Sequence, residues 1–401
     1  MARISTTTSL SLIVLAVTGL LTLSGGCGQA VFRSPLPAEL VEKAEIPGMS
    51  RARFWGDKID PELQAEFIRV SKELPVLPDP SSEEGPGMGG LVLSGGGDCG
   101  AFGAGLLCGW TDRGTRPRFR IVTGVSTGAL IAPMAFLGPK YDQLLRDSYT
   151  TVSAKDVLRK RPVLDWLKFD SMADSTPLMK LMQQQFTDQF IREVAVEHAK
   201  GRRLFVQTVN LDAQRPVIWD MGAIASSNHP DAPALFRKVL VASASIPAVF
   251  PPQYIKVQAN GKTYDEMHVD GGTASQMLMS TLPVNLSTVR KEMGPLTFTP
   301  SVYVIRNALI RPEWEQVSPK LFPIAGRSIS SIIKSQGRTE LALMYYQAKE
   351  AGMDFYLAHI PDDYQRQAQE EFDTGEMNRM FKLGYEQARN GDPWKRTPPK
   401  L

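Results

Sequence analysis

The stretch FRIVTGVSTGALIAPMAFL, residues 119–137, decides the fold, because an apolar strand pattern passes through a tight turn into an apolar helix pattern. Its centre, residues 124–128, reads GVSTG and fits the motif G-x-S-x-G. That motif requires a strand–turn–helix setting, in which a sharp turn presents the serine hydroxyl. Gly124 and Gly128 let strand and helix pack closely, and the helix N-terminus stabilises developing negative charge. We therefore predict that Ser126 is a nucleophile, although the motif alone is common by chance.

A second glycine turn follows an earlier apolar run. Residues 91–94, LVLS, predict a buried strand, and Gly95, Gly96 and Gly97 come directly after it. The next helix is predicted to begin near Gly100. Glycines leave backbone N–H groups uncovered, and a helix N-terminus adds positive potential, so the turn is predicted to bind an anion.

Residues that the sequence lacks exclude two kinds of anion-binding site, a dinucleotide site and a Walker phosphate loop. A dinucleotide fingerprint requires an acidic residue about 20 positions further on, and there is no Asp or Glu between Asp112 and Asp142. A phosphate loop of the Walker type requires Gly-Lys-Ser/Thr, which does not follow. The remaining functional interpretation is an oxyanion hole, in which the amides of residues 95–97 hold a transient alkoxide. A plain glycine turn with close helix packing is the structural alternative.

A serine nucleophile needs a base, and the chain has four histidines. His198 lies in a charged segment that predicts a solvated helix face, and His229 lies in a loop. His359, in an apolar run, is where the late histidine of an α/β-hydrolase would fall. Asp270 is a different candidate, because the sequence His268-Val269-Asp270-Gly271-Gly272 ends an extended segment in a glycine turn that can project a carboxylate past a sheet. A desolvated carboxylate can accept the serine proton, and both candidates stay open on this reasoning.

Four pieces in this order resemble the patatin-like phospholipase family. They are the segments 94–100, 124–128, 242–252 (ASASIPAVFPP) and 270–272 (DGG), and the segment 372–385 resembles the closing helix of the bacterial lipoprotein-like members. The resemblance covers about residues 88–391. It implies an α/β protein with a three-layer α/β/α fold and a mainly parallel central sheet.

The resemblance also implies a Ser–Asp dyad without histidine. Ser126 would be the nucleophile, Asp270 the general base, and the amides of Gly95–Gly97 the oxyanion hole, with Gly100, Gly124, Gly128, Gly271 and Gly272 supporting the turns. Many members carry Arg or Lys two positions after the third glycine, whereas this chain has Cys99. Acyl transfer is still implied, but a phospholipid head-group preference is not.

The N-terminus has the pattern of a secretory signal. Arg3 is the only charge before residue 33, and an apolar run covers residues 10–23. Small residues then lead to Cys27, as at a bacterial lipobox, although Ser24 stands where a leucine is usual. We predict a signal peptide over residues 1–26, acylation of Cys27, and a protein exported to the bacterial cell envelope and anchored to a membrane surface. An ordinary secretory signal is the alternative.

Composition and charge exclude several classes of protein. The chain has 401 residues, 45 Lys+Arg against 42 Asp+Glu, 43% hydrophobic and 22% charged residues, which argues against disorder and against a polytopic membrane protein. The formal charge of +3 argues against nucleic-acid binding. Three cysteines cannot form a disulfide framework. No metal or organic cofactor is implied, because His, Cys and acidic residues show no ligand spacing.

Three regions follow the signal. Residues 28–87 are rich in proline and are predicted to be an arm or linker, with a helix over 61–74 that begins after Asp60. Residues 88–391 are the predicted acyl hydrolase domain, and 392–401 a tail. The function predicted is a serine acyl hydrolase that cleaves fatty-acyl ester bonds of lipids, of phospholipase A, lysophospholipase or lipid esterase type. The alternatives are an α/β-hydrolase esterase that uses a histidine, an inactive envelope lipoprotein with a binding role, and nucleotide binding.

Overall fold

The structure is a computed structural model that describes residues 33–73, 89–162, 169–296 and 299–399. The predicted signal peptide 1–26 and Cys27 lie outside the described residues, as does the segment 74–88. Among the helices of the described ranges, none has the length and apolar character needed to span a membrane.

A mixed, mostly parallel sheet forms the centre of the molecule. The described strands of this sheet are β1 (Arg53–Trp55), β2 (Gly89–Leu93), β3 (Ile121–Val125), β6 (Arg203–Asn210), β7 (Arg215–Asp220), β8 (Gln253–Ala259), β9 (Lys262–Asp270), β10 (Ser301–Arg306) and β11 (Asp354–His359). Two further strands, β4 (Arg159–Lys160) and β5 (Ala173–Asp174), form a separate two-stranded ribbon. The strand order is β1-β7-β6-β3-β2-β10-β11, and β9 pairs with both β6 and β8. The strands β6, β3, β2, β10 and β11 are parallel to one another, so their carboxyl ends meet at one edge.

Helices cover both faces of this sheet. Those of the described residues are α1 (Pro61–Glu73), α2 (Gly100–Asp112), α3 (Thr127–Leu137), α4 (Asp142–Thr150), α5 (Ala154–Val157), α6 (Thr176–Gln185), α7 (Asp188–Ala199), α8 (Met221–Ser226), α9 (Ala232–Ser243), α10 (Leu286–Glu292), α11 (Leu321–Glu350) and α12 (Thr374–Asn390). In β2, Leu91 and Leu93 pack into the core under α2 and α3, whereas Val92 points to the opposite face under α11. An apolar run that is buried on both faces is typical of a central parallel strand. The predicted three-layer α/β/α fold is therefore confirmed.

The N-terminal segment differs from the predicted arm, because residues 33–73 belong to the domain itself. The strand β1 pairs antiparallel with β7, and Leu63 and Phe67 of α1 are buried against the sheet. The helix was correctly predicted to start after Asp60, whose Oδ1 accepts a hydrogen bond from the Leu63 N–H at 2.8 Å. Proline-rich composition predicts an extended arm, but Phe54, Leu63 and Phe67 bury against the sheet and hold the segment in place.

The C-terminal segment also differs from the predicted tail. The segment around residue 395 lies against the domain, where Lys395 forms a backbone bridge with Leu357 of β11. The Trp394 ring packs on Trp110 with centroids 4.6 Å apart. The apolar surface that Trp394 buries explains why this segment is docked. The domain therefore extends at both ends beyond the predicted limits of 88 and 391.

Candidate active site

The turn between β3 and α3 holds Ser126 in a strained conformation. Its backbone has φ 55° and ψ −126°, a region that residues with a side chain rarely adopt. The turn can close only because residues 124 and 128 are glycines. A Cβ on Gly124 would lie 2.4 Å from the carbonyl oxygen of Gly128, and a Cβ on Gly128 would lie 2.3 Å from the carbonyl oxygen of Leu93. The structure thus places Ser126 at the helix N-terminus, as the motif predicted.

A second serine fixes the backbone of this turn. The Ser126 N–H donates to Ser243 Oγ at 3.0 Å, and the Ser243 hydroxyl donates to the carbonyl oxygen of Gln207 on β6 at 2.7 Å. Ser243 is fully buried at the end of α9. It lies in the segment 242–252 that carried part of the family resemblance, but its contact with Ser126 was not predicted.

Sheet register brings Asp270 next to Ser126. Val125, the last residue of β3, pairs with Gln207, and the following residue of β6, Thr208, pairs with Asp270. Ser126 and Asp270 therefore flank β6 at the same level, at the carboxyl edge. Gly271 and Gly272 form the turn after β9, and the Gly272 N–H donates to Asp270 Oδ1 at 2.7 Å.

The carboxyl group of Asp270 is buried without a cation beside it. Burial raises the pKa of Asp270 to about 7, and the Ser126 hydroxyl and the Gly272 N–H lower it only in part. Its Oδ2 atom makes no hydrogen bond of ordinary geometry with any described residue. A carboxylate of this kind is a stronger base than an ordinary aspartate and titrates near neutral pH.

The glycine turn after β2 offers fewer free amides than the sequence predicted. The Gly95 N–H donates to the carbonyl oxygen of Gln276 at 3.0 Å, so it is not available to an oxyanion. The prediction for Gly95 is therefore wrong, because a backbone contact that the sequence does not reveal uses this amide. Gly96 and Gly97 are partly exposed, and their N–H groups have no acceptor among the described residues. Gly97 has φ +59°, which favours glycine and turns the chain into α2 at Gly100.

A distant arginine holds this turn in place. The Arg366 guanidinium donates to the buried Asp98 carboxylate at 2.6 Å and lies 3.6 Å from Cys99 Sγ. The Phe372 N–H donates to the same Asp98 oxygen at 3.1 Å. Cys99 occupies the position where the family often has a basic residue, and Arg366 brings a positive charge there from 267 positions away. No sequence signal indicated this contact.

An apolar pocket of about 660 Å³ opens next to Ser126 and Gly97. It is lined mostly by aliphatic and aromatic side chains, including Leu130, Met134, Leu178, Met182, Ile246, Phe250, Phe372 and Met377. A second apolar pocket, of about 780 Å³, lies at the opposite edge of the sheet near Gly89 and Ile121, and no acidic side chain of the described residues lines it. Of these two pockets, the one at the carboxyl edge combines apolar walls with Ser126.

The four histidines lie outside this pocket. His268 is buried between Thr208 and Glu266. His229 is in the loop before α9, as predicted, but His198 is half-buried near Asp220 rather than on a solvated face. His359 ends β11, three strands from β3, which is roughly 14 Å at the usual strand spacing.

A comparison with protein-family models agrees with the motifs. Residues 91–285 match the family model of patatin-like phospholipases, so the resemblance predicted from the sequence is confirmed there. Among solved structures, VipD from Legionella pneumophila is 12% identical over 77% of this chain and 67% of that chain, with a TM-score of 0.36. The type III effector protein ExoU is 12% identical over 76% of this chain and 54% of that chain, with a TM-score of 0.27. A search of curated proteins finds no match.

Proposed function

We propose, from the patatin-like phospholipase region at residues 91–285, that the chain is a serine acyl hydrolase that cleaves fatty-acyl ester bonds of lipids. The observation that carries the proposal is the pairing of a strained serine with a buried carboxylate that has no cation. Phospholipase A, lysophospholipase and lipid esterase activities all use this chemistry. The apolar pocket beside Ser126 suits an acyl chain, because such pockets bind ligands mainly through apolar walls and a few polar groups.

In the first half-reaction, Asp270 accepts the proton of the Ser126 hydroxyl while Oγ attacks the ester carbonyl carbon. The carbonyl π electrons move to oxygen, and the N–H groups of Gly96 and Gly97 stabilise the oxyanion that forms. When the tetrahedral intermediate collapses, the C–O bond to the alcohol breaks, and Asp270 returns the proton to the leaving alkoxide. The products are an alcohol or lysolipid and an acyl-enzyme on Ser126.

In the second half-reaction, water replaces the alcohol. Asp270 accepts a proton from water, the hydroxide attacks the acyl carbon, and collapse returns the proton to Ser126 and releases the fatty acid. The same base serves both steps because its pKa of about 7 lies near the working pH, where proton transfer is efficient in both directions. Removing one donor from an oxyanion hole costs a factor of about 10²–10³ in kcat in other hydrolases.

We also propose that the protein is exported to the bacterial cell envelope and anchored through acylated Cys27. The support is the sequence pattern of residues 1–27. Radiolabelled palmitate incorporated by wild type and lost in Cys27→Ser is the expected result. Equal labelling of both proteins would contradict the anchor.

A fluorophosphonate probe tests the enzymatic proposal directly. Wild type is expected to be labelled, Ser126→Ala is expected to remain unlabelled, and the half-buried control Ser287→Ala, remote from the pocket, is expected to label like wild type. A panel of short and long acyl esters, lysophospholipids and phospholipids then identifies the substrate class. If Ser126→Ala reacts as wild type does, or wild type does not react, the serine-hydrolase proposal fails.

A further inference from the structure

The longest helix, α11, leaves the domain at the catalytic edge of the sheet. Three contacts fix its middle there: Gln336 donates to the carbonyl oxygen of Ala274, Gly337 lies against the Arg306 guanidinium, and Glu340 accepts the N–H groups of Gln276 and Met277. The chain passes from β10 through α11 into the parallel strand β11, so α11 runs antiparallel to the strands. Its N-terminal residues therefore extend beyond the carboxyl edge, on the sheet face opposite α3.

This projecting part is long and apolar on one side. The residues 321–335 before the anchored turn correspond to about 22 Å of helix at 1.5 Å per residue. Large apolar side chains stand in solvent along it and on the preceding loop, with exposed fractions of 77% for Leu321, 51% for Ile324, 58% for Ile329, 66% for Ile332 and 89% for Trp314. The four helix residues fall within one side at 100° per residue. We name Trp314, Leu321, Ile324, Ile329 and Ile332 the α11 patch.

The opposite side of the projecting helix carries Arg327 and Lys334, which pair with Glu315 and Glu313 of the preceding loop. Between residues 311 and 339 the chain has five basic residues (Arg311, Lys320, Arg327, Lys334 and Arg338) and two acidic ones (Glu313 and Glu315), so the net charge is 5 − 2 = +3. Arg327 lies 3.0 Å from Glu315, which places the loop with Trp314 beside the second turn of the helix. An apolar side opposite a side that carries basic residues is the pattern of a helix that lies in a membrane interface.

We infer that the α11 patch docks on a lipid bilayer surface that carries anionic headgroups. The choice of a lipid surface rests on the proposed lipid hydrolase function, because the acyl substrate of such an enzyme is in a bilayer. A second copy of the chain fits the patch less well. In a two-fold dimer the patch meets itself, and two segments of charge +3 would be brought together.

Tryptophan quenching by brominated lipid tests the docking on the full-length protein. Vesicles of equal parts phosphatidylcholine and brominated phosphatidylglycerol are added to wild type and to Trp314→Phe, and the difference between the two isolates the emission of Trp314. Quenching of Trp314 by the vesicles is the expected result. If the brominated lipid leaves the emission of Trp314 unchanged, the inference is overturned. It is also overturned if the protein forms a dimer in the absence of vesicles and the double variant Ile329→Asp/Ile332→Asp dissociates that dimer.

Hydrolysis measurements separate docking from catalysis. The double variant Ile329→Asp/Ile332→Asp is expected to lose about tenfold or more in the rate on phosphatidylglycerol vesicles, because aspartate is strongly disfavoured in the acyl region. Its rate on a soluble short-chain ester, and its fluorophosphonate labelling, are expected to stay within about twofold of wild type. The control Ile59→Asp/Val196→Asp changes two exposed apolar residues elsewhere and is expected to keep both rates.

The two proposals fail in different ways. A double variant that keeps the vesicle rate overturns docking through the α11 patch while leaving the hydrolase proposal standing. Wild type that neither hydrolyses the soluble ester nor reacts with the probe overturns the hydrolase proposal. Trp314 quenching in such a protein would still support binding of the patch to a lipid surface.

Discussion

Two buried carboxylates on β9 have opposite environments. Glu266 and Asp270 are four residues apart, so their side chains lie on the same face of the strand, and both are almost fully buried, at 1% and 4% exposure. Burial alone raises the pKa of either group. What differs is the set of partners, and that difference separates a structural acid from a candidate base.

Glu266 has a cation and a histidine beside its carboxyl group. Arg53 of β1 pairs with it through two nitrogens, and His268 Nε2 lies 3.1 Å from its Oε2. Burial would raise the pKa of Glu266, but these two partners outweigh it and lower the pKa to about 2. Glu266 therefore stays charged and connects the N-terminal segment to the sheet.

Asp270 has a hydroxyl and one amide near its carboxyl group, and no charged residue contributes to the shift that raises its pKa to about 7. A buried carboxylate without a nearby cation is destabilised in its charged form, and protonation removes that destabilisation. Burial therefore does not distinguish the candidate base from the structural acid, whereas the absence of a compensating charge among its neighbours does.

The largest expected effect comes from removing the basic carboxylate. Asp270→Asn is expected to lower kcat/KM by about 10³–10⁴, because the amide cannot accept the Ser126 proton. The free energy of unfolding at pH 8 is expected to stay equal or rise, since a buried charge is removed. Steady-state ester hydrolysis and urea unfolding measure the two quantities, with the exposed Asp231→Asn as the control. Activity that survives in Asp270→Asn would refute its role as the base.

The structural carboxylate is expected to give the opposite result. Glu266→Gln leaves Arg53 buried and uncompensated, so the free energy of unfolding is expected to fall by about 3–5 kcal/mol, while the folded protein keeps kcat/KM within a few-fold. Urea unfolding measures the loss. The double variant Arg53→Met/Glu266→Gln removes the uncompensated charge and is expected to recover part of it. If Glu266→Gln abolishes activity without destabilising the protein, the assignment of the two acids is reversed.

The two acids are also expected to respond to pH with opposite signs. The folded pKa of Asp270 is about 7 and its ordinary value is 3.8, so the folded state binds the extra proton between these values and loses stability as pH rises through them. Between pH 5 and pH 8 wild type is expected to lose about 3 kcal/mol relative to Asp270→Asn. Glu266 contributes stability that is present above its ordinary value of 4.5 and is lost as pH falls toward about 2.

The same titration is expected in the reaction. The kcat/KM of wild type on a soluble ester is expected to rise with pH and reach half of its plateau near pH 7, as Asp270 loses its proton. A rate profile with its midpoint near pH 4 would show that Asp270 is not desolvated during the reaction.

Local turn chemistry is the part of the site that the sequence predicted. The elbow of Ser126 and the turn after Asp270 depend on glycines within two residues, and the helix start at Asp60 depends on a side chain three residues before the N–H that it caps. These features are encoded by neighbours in the chain. The predicted layers followed from the apolar runs of β2 and β3 together with the family resemblance.

Long-range pairing is the part that the sequence did not predict. The contact of Arg366 with Asp98, the use of the Gly95 amide by Gln276, and the pairing of Arg53 with Glu266 join residues more than 180 positions apart. Composition gives no information on such partners, because any arginine or carbonyl group is a chemically suitable candidate. For that reason the N-terminal segment was predicted to be an arm, although its strand and its arginine complete the sheet.

The smallest expected effect concerns His359, a third buried titratable group and the histidine that an α/β-hydrolase mechanism would use. Its Nδ1 contacts the Ile360 carbonyl oxygen at 2.7 Å and its Nε2 contacts Lys395 Nζ at 2.7 Å, so both nitrogens are occupied. Burial and the nearby Lys395 lower the pKa of His359, and the hydrogen bond to Ile360 and the charge of Asp362 oppose them only in part. Like Glu266, it has the partners of a structural group.

The variant His359→Ala is therefore expected to keep kcat/KM within about twofold of wild type, with an unchanged pH midpoint. Its free energy of unfolding is expected to fall by about 1 kcal/mol, because the two contacts of the imidazole are lost. Ester hydrolysis across pH and urea unfolding measure both, and Lys395→Ala, which removes one of the same contacts, is the matched control. A loss of activity as large as that of Asp270→Asn would transfer the role of base to the histidine. The contrast would then no longer hold, because a buried group with a full set of partners would be the catalytic one.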